Sequence, residues 1–185
     1  MGKPHPLVAP YFTDMMVDIE TGGTDPERNP IIQIAAVKFN YATGEIGPMF
    51  NRCLGPAIDR LWDEGTKQWW AKMPDTYEAI CARVEDPAVV MADYAAFAET
   101  GPRFWAKPTS FDFPFVASYL RQFGHPNPCH YRHARDLNTF IAALKGGADH
   151  VWMRDVPFVG TVHDGLDDCC HQISSLFEAK EGRFS

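Results

Sequence analysis

Apolar and polar side chains alternate along Asp14–Gly23, a pattern that predicts a strand running out into a loop. Successive side chains on a strand point to opposite faces, so Asp18 and Glu20 share a face, one pleat apart. Val17 and Ile19 take the other face and anchor the strand in a core. Thr21–Pro30 holds Gly22, Gly23, Pro26 and Pro30 and reads as a loop. Ile31–Phe39 is rich in β-branched residues and predicts a second strand. After the turn Tyr41–Gly44, Glu45–Leu54 reads as a third strand, placed at an edge because Pro48 cannot donate to a ladder. Three strands with short links suggest an antiparallel meander.

The middle of the chain has helical periodicity. Thr66 is a candidate N-cap for Lys67–Lys72, Pro74 interrupts, and Thr76–Arg83 continues as a second short helix. Asp86–Pro87 pairs a cap with a first-turn proline and opens Pro87–Thr100, which Gly101–Pro102 ends. Arg103–Lys107 is a fourth strand. Phe113–Phe123 is a helix closed by Gly124. Cys129–Arg132 is a fifth strand, and Asp136 caps Leu137–Lys145. Gly146–Thr161 is irregular, and a last helix runs from about Asp164 to Lys180. A meander followed by strands alternating with helices predicts an α/β fold, a mixed five-stranded sheet flanked by helices. Sites in such sheets form near strand carboxyl ends, where Asp18 and Glu20 lie.

The length, 185 residues, suits one domain over 1–185, and the 45% hydrophobic content is ordinary for a globular chain. No apolar run reaches the length of a bilayer span, and Met1–Pro6 begins no secretory apolar core, so a cytoplasmic protein with no membrane partner is expected. Five cysteines, none in a Cys-x-x-Cys pair, argue for free thiols rather than zinc or disulfides. A formal net charge of −7 argues against holding nucleic acid by bulk positive charge, though not against acting on it briefly.

That acidity has a chemical reading. Two carboxylates side by side repel, and a hard divalent cation relieves the repulsion with oxygen ligands; the plainer alternative is a solvated strand end. Asp112 sits in Ser110–Phe111–Asp112–Phe113, partly desolvated between aromatic rings, where it is either a helix cap or a ligand. His163–Asp164–Gly165–Leu166–Asp167–Asp168 opens the last helix. The three acids suit a helix N-terminus. Residues five apart on a regular helix point about 140° apart, so His163 and Asp168 converge only if His163 precedes the helix.

Together these motifs resemble the DEDD superfamily of metal-dependent 3′→5′ exonucleases, in the branch whose third motif carries a histidine. Asp18–Ile19–Glu20–Thr21 is the first motif, Asp112 the second, and His163 with Asp168 the third; Gly165 stands where the family usually has alanine. The resemblance implies a ribonuclease H-like fold. It also implies two Mg²⁺ or Mn²⁺ ions held by Asp18, Glu20, Asp112 and Asp168, with His163 as general base, and release of nucleoside 5′-monophosphates. A finer likeness, to the phage DexA-type exonucleases and the bacterial RNase AS group, rests on Lys67–Gln68–Trp69–Trp70 and Arg135–Asp136–Leu137–Asn138–Thr139. It leaves a polynucleotide 3′ end in DNA, or as the alternative in RNA, as the substrate, and it suggests a homodimer.

Thr21, Trp69, Trp70, Phe111 and Arg135 are candidate substrate contacts. Adjacent helical residues point about 100° apart, so one of Trp69 and Trp70 is expected in the core and the other in the cleft. Lys67, Lys72, Arg132 and Arg135 are candidate phosphate contacts, or else solvated charges. The rival classes are a catalytically inactive binding module of the same fold and a ribonuclease H-like endonuclease.

Overall fold

The computed structural model describes residues 11–147 and 156–182. The meander forms as expected, with β1 (Asp14–Thr21), β2 (Ile31–Phe39) and β3 (Ile46–Leu54) paired antiparallel. Gly22 makes the turn out of β1 tight: a Cβ there would lie 2.7 Å from the Pro30 Cγ and the Trp62 ring. Helices α1 (Glu64–Trp70) and α2 (Pro74–Cys81) follow. Two expectations shift here. Asp63, not Thr66, caps α1, accepting from the Thr66 N–H at 2.8 Å. Pro74 starts α2 rather than interrupting it, since a first-turn proline forfeits no helical hydrogen bond.

The sheet has six strands, not five. The unexpected one is β4 (Val84–Glu85), which pairs parallel with Cys53 and Leu54. β3 is therefore an open edge only over its first part. Pro48 falls there, where the register with β2 slips between Val37 and Phe39, an irregularity that tolerates the missing N–H. After α3 (Pro87–Phe97), β5 (Arg103–Ala106) runs parallel to β1. The last strand, β6, is Ala134–Asp136 rather than Cys129–Arg132, because Tyr131–His133 forms a 3₁₀ turn. The strand order is β4-β3-β2-β1-β5-β6.

Helix α4 (Thr109–Gln122) begins a turn earlier than expected and takes Asp112 into its first turn, with Pro114 inside it. α5 (Leu137–Leu144) starts from the Asp136 cap and α6 (Gly165–Lys180) from an Asp164 cap. Gly146 and Gly147 lie in the turn that ends α5; the centre of the stretch read as irregular, 148–155, lies outside the described residues.

Two layers of core flank the sheet. Met15, Val17 and Ile19 pack with α3 and α4 on one face. Met16 packs with α5 and α6 on the other, through Leu137, Ile141, Cys169, Ile173 and Leu176. Asp18 and Glu20 belong by parity to the α6 face. A smaller cluster of Ile32, Cys53, Trp70 and Ile80 seats α1 and α2. Buried Asp14 joins β1 to β5, accepting from the Arg103 guanidinium and from the Trp105 indole at 2.8 Å.

Candidate active site

The carboxyl end of β1 opens into a cleft of about 560 Å³ lined by Asp18, Glu20, Asp112, His163 and Asp168 among others. Each acid arrives by its own route. Asp18 and Glu20 project from β1 toward α6. Beyond Met16, β1 has no further ladder partner in β5, and the Ile19 N–H donates instead to Asp112 Oδ1 at 3.1 Å. That bond draws the first turn of α4 to the mouth of the strand.

The three acids that open the last helix divide their work. Asp164 caps α6 through the Leu166 N–H at 3.1 Å, and Asp167 accepts from the Thr161 N–H at 2.7 Å. Asp168 accepts from the His163 N–H at 2.8 Å. His163 lies before the helix, as its spacing requires. Its φ of 64° is a left-handed value seldom adopted by a residue with a side chain. In that conformation its Nδ1 stands 3.5 Å from Glu20 Oε1, and its ring packs edge-on to Trp69 at 4.8 Å between centroids. Strained backbone of this kind persists where the surroundings over-determine it and gathers at functional sites.

Electrostatics follow from the crowding. Burial, then the charges of Asp112, Glu20 and Asp168, push Asp18 well above the usual carboxylate range. Burial lifts Asp112 likewise, against the N–H bond from Ile19. Glu20 is pushed up to about 6 by burial, with His163 pulling the other way. Burial raises Asp168, and the hydrogen bond to Glu20 raises His163. Four carboxylates that resist ionising together are a donor set suited to hard cations, whose charge offsets the repulsion. Ligand atoms of Glu20, His163 and Asp168 already lie within 4.8 Å of one another.

The remaining expectations sort by position. Trp69 and Phe111 line the cleft. Trp70 is buried and donates its indole N–H to the Thr21 carbonyl at 3.0 Å, so it holds the cleft rim from behind. Thr21 lines the cleft, but its hydroxyl is spent on the Gly23 carbonyl at 2.7 Å. Arg135 is not a cleft residue; its guanidinium donates to the Arg132 and Ala134 carbonyls at 3.0 Å, on the strand at the far side of β5. Arg132, Lys72 and Lys67 also lie off the cleft lining, and Lys67 pairs with Glu64 at 3.1 Å.

Sequence reasoning missed two supporting glutamines. Gln172 Nε2 donates to Asp18 Oδ1 at 2.7 Å, while its buried Oε1 has no partner among the described residues. Its spacing of four from Asp168, one helical turn, is the signal that could have found it. Gln33 is fully buried, accepts from the Gly165 N–H at 3.1 Å and donates to Asn51 at 2.9 Å. A lone amide in the apolar run of β2 was its signal. Gly165 lets α6 come this near: a Cβ there would meet the Ala35 Cβ at 3.2 Å and the Asp18 carbonyl at 3.4 Å.

Residues 13–179 match the model of the 3′-5′ exoribonuclease Rv2179c-like domain. A search of curated proteins finds no match. Among solved structures the chain is similar to an exonuclease I, with a TM-score of 0.71 and 18% identity, covering 91% of this chain and 41% of that one. Escherichia coli exonuclease I in complex with a 5cy-dA13 oligonucleotide gives 0.66, 18%, 91% and 41% in the same order. A moderately thermophilic exonuclease I from Methylocaldum szegediense gives 0.67, 18%, 91% and 41%. This chain thus spans about two-fifths of the length of those exonucleases, and the likeness is one of fold, ribonuclease H-like. The match over nearly the whole length places this chain in the 3′-5′ exoribonuclease Rv2179c-like domain family.

Proposed function

We propose that this chain shortens RNA from its 3′ end one nucleotide at a time, releasing nucleoside 5′-monophosphates. The observation that carries the reading is the convergence of Asp18, Glu20, Asp112 and Asp168 on a single cleft with His163 at its wall. The family description, an exoribonuclease, turns the reading from DNA to RNA. DNA is the second reading, because E. coli exonuclease I is seen with DNA oligonucleotides.

The four carboxylates would hold two Mg²⁺ or Mn²⁺ ions, which when bound supply an activated water and charge neutralisation at the departing 3′ oxygen. Hard cations prefer the carboxylate oxygens, which leaves the imidazole free for proton transfer. With Nδ1 of His163 turned to Glu20, Nε2 is the nitrogen left to take a proton from the attacking water. The pairing with Glu20 makes that nitrogen a stronger base. Gln172 fixes the Asp18 carboxylate, and the Ile19 N–H fixes Asp112. Trp69 and Phe111 offer ring faces and edges to the terminal bases, a contact that tolerates any base.

The test is digestion of matched 5′-labelled RNA and DNA strands by the purified chain with Mn²⁺. A ladder shrinking from the 3′ end, 5′-monophosphate products and arrest by a chelator are expected, with RNA degraded faster. Internal cuts, or persistence of full activity in a folded Asp112→Ala variant, overturn the reading. Equal or faster loss of DNA overturns its RNA part.

A further inference from the structure

Among the described residues the cleft carries five carboxylates, those of Asp18, Glu20, Asp63, Asp112 and Asp168, against one permanent cation, Lys107. Lys107 follows Ala106 at the end of β5, between that strand and the helix that carries Phe111 and Asp112. Its ammonium makes no hydrogen bond or ion pair among the described residues, although Asp168 is near enough to feel its charge. An exposed lysine is ordinarily a solvated surface charge. A lysine kept for charge balance inside an acidic cleft would pair with the nearest carboxylate, as Lys67 does with Glu64 outside it.

Resting on the exonuclease reading, we infer that Lys107 is a substrate-binding residue whose ammonium takes a backbone phosphate of the bound strand. The chemistry favours this use. A polyanion entering an acidic cleft meets repulsion wherever bound cations do not cancel it, and a flexible ammonium with three donors is a point charge suited to non-bridging phosphate oxygens. Because it recognises phosphate, Lys107 serves RNA and DNA alike and any base sequence. It sits at the end of β5 and lines the same cleft as Asp112, whereas Arg132 and Arg135 lie on or before β6, off the cleft.

The test compares wild type, Lys107→Gln and Lys107→Arg. Two readouts are used: steady-state kinetics with Mn²⁺, and fluorescence anisotropy of a labelled single-stranded RNA with Ca²⁺ in place of Mn²⁺. Lys107→Gln is expected to weaken binding and raise KM about tenfold, with kcat within about twofold. It should also lower the slope of log affinity against log salt by about 0.7, the value for one phosphate contact on a single strand. Lys107→Arg should restore most of both, with an unchanged melting temperature in all three proteins. Equal affinity and equal salt slope in Lys107→Gln overturn the assignment while the exonuclease reading stands. A wild type that neither binds nor shortens RNA or DNA overturns that reading and this inference together.

Discussion

His163 shows how much one residue is asked to do. Its main chain sits at a left-handed φ, its N–H is given to Asp168 and its ring is braced between Glu20 and Trp69. His163→Ala is expected to slow turnover about 10²–10⁴-fold while leaving metal binding largely intact, as single-turnover kinetics and Mn²⁺ titration would show. Gln172→Ala is expected to do the reverse, weakening Mn²⁺ binding about 10–100-fold in a calorimetric titration, because the amide orients a ligand rather than reacting. Asp14 belongs to stability instead. Burial raises its pKa, but bonds from Arg103, Trp105, Thr13 and the Tyr41 N–H outweigh that and leave it lowered. A lowered carboxyl stabilises the fold above its unfolded pKa, near 3.8, and the contribution drains away as pH falls below that. Urea midpoints should therefore drop more steeply below pH 4 for wild type than for Asp14→Asn. Asp14→Ala should cost about 1–3 kcal/mol near pH 7, because it leaves the buried Trp105 indole without its acceptor while the half-exposed Arg103 stays solvated. The acids and histidine of the site were legible because unlike motifs recurred in a fixed order. Gln172 was not, since a glutamine on an amphipathic helix reads as surface until its neighbour across the helix turn is known to be a ligand.

Elements differ in how plainly they announce themselves. β1, β2 and α6 are long enough for their periods to repeat, and the sequence reading places them to within a residue or two. β4 has two residues, too few for any alternation, and only its pairing with Cys53 and Leu54 makes it a strand. β6 was misplaced because Tyr131 has strand propensity, which a local 3₁₀ turn overrides. Asp63 and Thr66 could each have capped α1; the chain uses one as cap and the other as its donor. The seating of α6 on β2 is the element-level contact on which the site turns. Gln33 ties the Gly165 N–H, Asn51 and Asp164 together, and Arg83 adds an ion pair to Asp164 at 3.2 Å. Gln33→Leu removes the acceptor for a buried N–H. It should lower stability by about 1–3 kcal/mol in urea titration, with a loss of kcat at temperatures where the variant is still fully folded.

At the scale of the whole molecule, the sheet is a frame between two cores, and the site stands where strand, loop and two helices meet at one end of it. The mixed topology was readable from the order of strand and helix patterns; the sixth strand and the place of Lys107 in the cleft were not, since each is defined by neighbours distant in sequence. The bond from Gln172 to Asp18 spans 154 positions of the chain. A polypeptide emerging from the ribosome therefore carries no complete site until α6 has been made and docked. The proposed trimming of RNA then becomes a late-reporting gauge of maturation: in refolding from urea, recovery of cutting should trail the return of Trp fluorescence and coincide with burial of Cys169, followed by thiol labelling. Growing chains stalled before α6 should be inert in the RNA trimming proposed above.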